Sequence, residues 1–436
     1  LPLFGGLLYL FSGDKKPSRG MRRKLNEQHE LFKESLLQEA EIQDRLGKVH
    51  GRAAGTFDYV RRVGDFPVYG NTDVTYYPSG EEMFVDMLDE LRAAKHFIFV
   101  EYFIVSEGEM WEEVLKILKQ KADEGLDVRM IYDDMGCVTL LPGGYFKWLE
   151  KCGIKCMAFN PVIPFFSLVM NNRDHRKICV IDGRVAFTGG INLADEYINQ
   201  KVRFGHWKDT AVMLKGEAVQ NFTMMFLQMW NVSERGKEDY AKYLTPKSLD
   251  IRRELGFVLP YADSPFDHEN IGEQVYFHLL NHAKKYVHIM TPYLILDNEM
   301  VTNLTYTAKC GIEVIIIMPH IPDKWYAFAV AQTYYEELIS AGVQIYEYTP
   351  GFVHAKVFVS DNDTATVGTI NLDYRSLYHH FECGTFIYNN PVVWEIERDF
   401  QNTLKACQKI TMLDVKARRI GMKMVGRVLR LIAPLM

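Results

Sequence analysis

Apolar and polar positions along this chain follow two periods, and the pattern is played twice. Ser79 followed three positions later by Glu82 has the spacing of a capping box. Phe84, Met87, Leu88 and Leu91 then recur at i, i+3, i+4 and i+7, which predicts an amphipathic helix. The run 96–105 (HFIFVEYFIV) is apolar almost throughout and holds one acid, Glu101, so it reads as a buried strand. A helix over 109–124, a strand over 128–132, a helix over 145–152 and a strand over 155–159 follow. The second half replays the order as strand 286–295, helix 298–310, strand 312–318, helix 325–341 and strand 343–348, with a closing helix over 391–410.

Helices alternating with apolar strands predict an α/β fold. The replay predicts two similar domains, 57–235 and 236–411, packed about a pseudo-two-fold axis that brings equivalent motifs to one interface. The charge-rich stretch 25–56 reads as a helical connector. In the tail, 412–436, apolar residues at 413, 417, 420, 424, 428, 431 and 435 interleave with Lys416, Arg418, Arg419, Lys423, Arg427 and Arg430. That is the pattern of a basic amphipathic helix, suited to a membrane surface or to docking with a solvated face.

The strictest part of the repeat is chemical. Residues 175–192 read HRKICVIDGRVAFTGGIN and residues 354–371 read HAKVFVSDNDTATVGTIN. His354 lies 179 positions after His175, and Asn371 the same 179 after Asn192. In a strand, positions i and i+2 share a face, so His175 and Lys177 point together, as do His354 and Lys356. Asp182 and Asp361 complete the motif and are grouped with the catalytic set on that ground. Yet seven residues of strand span about 23 Å, and the parity is opposite. Geometry therefore makes them hairpin residues, with Asp182-Gly183 and Ser360-Asp361-Asn362 as the turns. The returning strands bring Asn192 and Asn371 back beside the His/Lys pairs.

Two histidines, two lysines and two amides around one cavity suit an anionic tetrahedral substrate. Ammonium and amide donors can hold the non-bridging oxygens of a phosphodiester, while one imidazole attacks phosphorus and the other protonates the leaving alkoxide. An unperturbed pKa near 6.5 would leave one histidine neutral and the other protonated. Neither half shows an acidic metal cage, so no metal and no cofactor is expected.

The doubled H-x-K-x-x-x-x-D with G-x-x-N resembles the phospholipase D superfamily, and in detail the chain resembles bacterial cardiolipin synthases. GGINLADEY (189–197), HWKD (206–209), TPYLILD (291–297) and GTINLDYRSLYHHFE (368–382) carry the likeness, which spans roughly residues 57–436. The resemblance implies a phosphohistidine intermediate, with His175 as nucleophile and His354 as acid and later base. It also implies an acid after each G-x-x-N turn to orient the histidine: Asp209 for His175 in the first half, Glu382 for His354 in the second. Gly190 and Thr369 stand where many members of the superfamily carry serine, and both keep a small or hydroxyl residue. The implied reaction joins two phosphatidylglycerol molecules into cardiolipin with release of glycerol. A phospholipase D or a phosphatidyltransferase with another acceptor is the alternative.

Composition adjusts this picture little. Among 436 residues the net charge is −6, which counts against a nucleic-acid partner and a nuclease. Seven cysteines without regular spacing read as reduced thiols of a cytosolic compartment. The apolar run 1–11 is followed by Lys15, Lys16, Arg19, Arg22, Arg23 and Lys24. Residues 1–24 thus read as the tail of a transmembrane segment with its basic, cytoplasmic flank, placing the catalytic domains on the cytoplasmic side of the cell membrane. The expected partners are phosphatidylglycerol and an anionic bilayer surface. The uncharged run 161–170 and the aromatics Trp325, Tyr326 and Phe328 are candidates for an acyl-chain entrance.

Overall fold

The apolar runs of the first half become the inner strands of a sheet. The computed structural model describes residues 19–48, 53–161, 172–233, 240–244, 256–267 and 269–435. The first half contains β1 (Thr72–Tyr77), β2 (Phe97–Tyr102), β3 (Asp127–Asp133), β4 (Lys155–Phe159), β5 (Arg173–Asp174), β6 (Lys177–Ile181), β7 (Val185–Gly189), β8 (His206–Lys208) and β9 (Ala211–Gly216). Seven of them form a sheet in the order β1-β9-β7-β6-β2-β3-β4. Strands β2, β3 and β4 are parallel, joined by the helices Glu109–Asp123 and Tyr145–Lys151. Such crossovers cover the sheet faces, so parallel strands are buried on both sides, and every residue of β2 is buried. Its one acid, Glu101, is neutralised by buried Arg176 at 2.5 Å, which also reaches Asp174 at 3.2 Å.

The second half contains β10 (Phe257–Asp263), β11 (Tyr286–Met290), β12 (Leu294–Ile295), β13 (Glu313–Pro319), β14 (Gln344–Tyr348), β15 (Gly351–Val353), β16 (Val357–Ser360), β17 (Thr364–Gly368), β18 (Leu372–Asp373), β19 (His380–Tyr388) and β20 (Cys407–Ile410). Its main sheet runs β10-β19-β17-β16-β11-β13-β14-β20, the order of the first sheet with one edge strand added. The halves share an apolar seam in which Tyr76 and Val212 pack among Val353, Val357, Val367 and Ile387. Two short parallel pairings also cross between them, β5 with β19 and β8 with β15. The fold is therefore the expected mixed α/β pair.

Four local expectations need correction. The stretch after residue 391 is not one helix: Val392–Leu404 ends and Cys407–Ile410 pairs antiparallel with β14. The stretch 325–341 breaks into Trp325–Ala331 and Tyr335–Ser340. The turn between them lets the consecutive Tyr334 and Tyr335 both bury their rings and donate, to Leu296 O at 2.8 Å and Glu347 Oε1 at 3.3 Å. The tail forms two helices, Met412–Ala417, opened by a Thr411–Asp414 capping box, and Ile420–Arg430. The N-terminal charged stretch is no mere connector. Its helices Arg19–Ser35 and Ala40–Gly47 bury Leu25, Phe32, Leu36, Ile42 and Leu46, a sparse apolar stripe that the charges obscure.

The expectations for 1–11 and 162–170 fall outside the described residues. Among those described, no helix is long and apolar enough to cross a membrane. All seven cysteines are free thiols.

Candidate active site

Each motif histidine follows a short strand that pairs with the opposite half. In the β5–β19 register Asp174 lies beside Phe381, and His175 N donates to Phe381 O at 2.9 Å. The next residue of β19 is Glu382. In the β15–β8 register Val353 lies beside Lys208, and His354 N donates to Lys208 O at 2.7 Å. The next residue there is Asp209. Register alone thus sets each imidazole against a carboxylate of the other half. His175 Nδ1 lies 2.9 and 3.0 Å from the two Glu382 oxygens, and His354 Nδ1 lies 2.7 Å from Asp209 Oδ2.

This reverses the expected assignment, in which each half supplied the acid for its own histidine. The acids are those singled out from the sequence, but they are exchanged between the halves. The cause is topological: β5 and β15 leave their own sheets and pair across the interface.

Supports of the two carboxylates differ, and the difference explains the residues at 190 and 369. Glu382 accepts hydrogen bonds from Thr369 Oγ1 and from Ser376 Oγ, the latter at 2.6 Å. Asp209 accepts from its neighbour Thr210 N at 2.8 Å and crowds the backbone of Gly190, where a Cβ would stand 2.0 Å from Asp209 Oδ1. Glycine is therefore required at 190, whereas the hydroxyl at 369 binds the longer acid.

All the motif groups are buried: His175, Lys177, His354 and Lys356, with both acids fully enclosed. Lys177 Nζ donates to His175 O at 2.5 Å, and Lys356 Nζ donates to His354 O and lies 3.0 Å from His354 Nδ1. Phe103 stacks edge-on against His175, while Tyr197 and Trp207 flank His354. Burial, aided by the neighbouring Lys356, pulls His354 down to about 4. Burial likewise holds His175 well below the usual imidazole value, against the pull of Glu382. Desolvation lowers Lys177 to about 8 and Lys356 to about 7, although Glu382 and Asp209 oppose it. Burial works against charge on the acids too, yet the His175 and His354 contacts hold both below the ordinary carboxylate range.

Burial thus shifts both imidazoles towards the neutral form, rather than one each way as expected. The network assigns the proton to Nδ1, donating to the carboxylate, and leaves the Nε2 lone pair unshared.

Asp182 and Asp361 do not join this site, which corrects their grouping with the catalytic residues. Asp182 sits at φ 53° in the β6–β7 turn and accepts from Lys95 N, His96 N and Phe97 N at 2.9, 2.7 and 2.9 Å. Asp361, also at φ 53°, accepts from Lys284 N, Lys285 N and Tyr286 N at 2.7, 2.8 and 3.0 Å. Each tethers a hairpin to the start of the neighbouring strand. Asn192 is buried, accepting from Ile104 N at 3.0 Å and donating to Tyr197 Oη at 2.8 Å, so one of its N–H bonds is already committed. Asn371 is buried with no hydrogen-bond partner on its Oδ1.

One residue of the site escaped the sequence reading. His380 is nine-tenths buried, its ring centroid 5.5 Å from that of His175, and neither ring nitrogen has a hydrogen-bond partner. Its Nδ1 lies 3.8 Å from Glu382 Oε1. The signal was available, because in a strand position 380 shares a face with 382. His175, His380 and Glu382 also have donor atoms within 4.8 Å of one another, the spacing of a potential metal site. An ion there would have to displace the His175–Glu382 hydrogen bond.

A duplicated α/β fold with paired H-x-K motifs at the junction of its halves defines the phospholipase D class. The family profile described as "Cardiolipin synthase, PLD-like domain" matches residues 87–230 and 276–404. The cardiolipin synthase of Halalkalibacterium halodurans is 34% identical over 438 residues, covering 100% of this chain and 86% of that protein. Cardiolipin synthase 2 of Bacillus anthracis is 34% identical over 446 residues, covering 100% and 84%. A Streptococcus mutans protein is 50% identical over 435 residues, covering 100% and 94%. The crystal structure of phosphatidylserine synthase from Haemophilus influenzae superposes with a TM-score of 0.67 at 14% identity over 87% of this chain and 99% of that one, a likeness of fold. The chain belongs to the cardiolipin synthase family of phospholipid phosphatidyltransferases.

Proposed function

We propose that the chain makes cardiolipin and glycerol from two phosphatidylglycerol molecules through a phosphohistidine intermediate. The observation that carries this reading is the pair of buried imidazoles, each with Nδ1 on a buried carboxylate of the other half. His175 Nε2 attacks the phosphorus of the first lipid, and the bond to the glycerol headgroup breaks. His354 gives its proton to the departing alkoxide, which leaves as glycerol, and a phosphatidyl group remains on His175. The free headgroup hydroxyl of a second phosphatidylglycerol then loses its proton to His354 and attacks phosphorus. Cardiolipin forms and His175 is released.

In the free protein His354 carries no proton for the first step. A phosphodiester anion brought beside Lys177, Lys356 and both histidines favours their charged forms, so the substrate complex is the state that holds it. Lys177 and Lys356 then stabilise the charge on the non-bridging oxygens, with Asn371 and the remaining N–H of Asn192 as further donors. The site faces the membrane that holds the lipid, and the basic cluster Lys15–Lys24 supports the cytoplasmic side.

The test is product analysis with headgroup- and acyl-labelled phosphatidylglycerol in membranes. Glycerol release matched by cardiolipin is expected. Phosphatidic acid as the main product would replace this reading with a hydrolase. The His175→Ala and His354→Ala variants should each lose turnover by about a thousandfold or more, because groups acting as one unit fail together. Turnover surviving either change rejects the two-histidine mechanism.

A further inference from the structure

The C-terminal helix Ile420–Arg430 is docked with the wrong side out. Ile420, Met424, Val428 and Leu431 fall at i, i+4, i+8 and i+11, a single stripe, and are 76%, 63%, 64% and 81% exposed. The opposite side meets the protein through Gly426, where a Cβ would stand 2.4 Å from Ala329 O and 2.9 Å from the Thr333 methyl. Glycine at that point lets the helix lie close against Trp325–Ala331. A helix that folded for its own burial would turn its apolar stripe inward. Arg418 and Arg430 pin the docked side, stacked over Tyr335 and Tyr334 at 4.6 and 3.9 Å.

Position and charge indicate what covers the exposed stripe. Trp325, 62% exposed, lies one turn before Ala329 on the supporting helix, and Tyr326 beside it is also exposed. That helix follows the C-terminal end of β13. His354 and Lys356 precede β16, which runs antiparallel to β11, so they lie at the same edge of the sheet. Lys416, Arg419 and Arg427 are exposed around the stripe, and the helix Ile420–Arg430 contains no acid, in a chain of net charge −6. An apolar stripe bordered by cations and an exposed tryptophan, at the catalytic edge, matches an anionic bilayer surface.

We propose that Ile420, Met424, Val428 and Leu431, with Trp325, form a docking face for an anionic phospholipid bilayer that holds the catalytic edge against the membrane. The proposal rests on the lipid-substrate reading for its purpose, but its test does not depend on turnover. An environment-sensitive fluorophore on Met424→Cys, in a Cys310→Ser background, reports the stripe. The same fluorophore on native exposed Cys310, at the far end of the helix Asn298–Lys309 from the catalytic edge, serves as control.

Phosphatidylglycerol vesicles should blue-shift the probe at 424 and leave that at 310 unchanged, with phosphatidylcholine vesicles giving a much smaller shift. No shift at 424 overturns the proposal, whether or not the protein makes cardiolipin. A shift that grows with protein concentration in the absence of lipid overturns it in favour of self-association. The triple variant Ile420→Glu/Met424→Glu/Val428→Glu should lose at least tenfold in turnover on vesicles while keeping it on monomeric short-chain phosphatidylglycerol. Equal loss on both substrates, with thermal unfolding unchanged, also counts against a docking role.

Discussion

Lys177, Lys356, His175 and His354 are four potential cations enclosed with two carboxylates, and burial lowers the pKa of all four. For His354 the consequence for stability has a definite sign. Its folded pKa of about 4 is below the unfolded value of about 6.5. Between those values the unfolded chain binds the proton and the folded chain does not, so stability rises with pH across the window. The contribution is complete above about pH 6.5 and is lost as pH falls towards 4. His175, also lowered, acts in the same direction, and the two depressed carboxylates extend the loss further into acid. Urea unfolding should therefore show a fall on the order of 2 kcal/mol between pH 7 and 5. His354→Asn should flatten part of that slope; an unchanged slope would show that this histidine is not buried neutral. The His/Lys pairs were legible at this scale because i and i+2 share a face. The pKa shifts were not, since burial depends on what closes over the side chain.

Hairpins and crossing strands set the next scale. Asp182 and Asp361 each gather three backbone N–H groups of a neighbouring strand. Asp182→Ala or Asp361→Ala should cost about 1–3 kcal/mol of stability. Activity per folded molecule should be retained, as read by urea midpoint and by turnover corrected for folded fraction. A folded but inactive variant would return these acids to the catalytic set. The crossed pairing of acids makes a sharper claim. Asp209 contacts His354, which in the proposed mechanism protonates the leaving alkoxide, and Glu382 contacts His175, the proposed nucleophile. A phosphodiester with a nitrophenol leaving group needs no such proton. It should restore much of the rate lost in Asp209→Asn and His354→Ala, but little of that lost in Glu382→Gln and His175→Ala. Rescue of Glu382→Gln together with His354→Ala, and not of Asp209→Asn, would mean each acid serves the histidine of its own half. The resemblance named both acids but paired each with the histidine of its own half, because the choice lies in β5 and β15, strands of two and three residues with no periodicity to read.

At the scale of the molecule, the site exists only where the halves meet. Neither half contains a histidine together with its carboxylate: His175 and Asp209 belong to one, His354 and Glu382 to the other. Separately expressed halves, cut between 235 and 236, should each be inactive, and co-expression should recover activity in proportion to the heterodimer formed. Measurable turnover by one half alone would refute the shared site. The proposed membrane docking also belongs to this scale, because the exposed stripe gains its meaning from its place at the edge that carries the His/Lys pairs.

The sequence by itself determined the duplication, the α/β layering, the two H-x-K pairs and the hairpin role of the motif aspartates. Each of these follows from local spacing: periods of 2 and 3.6, parity along a strand, turn residues between apolar runs. Tertiary structure alone decided which acid faces which histidine, the burial that lowers the pKa of both imidazoles, that His380 stands beside His175, that the charged N-terminal helices bury a stripe, and that the last helix turns its apolar side outward. Those depend on contacts between residues far apart in the chain, and on desolvation that no local pattern records.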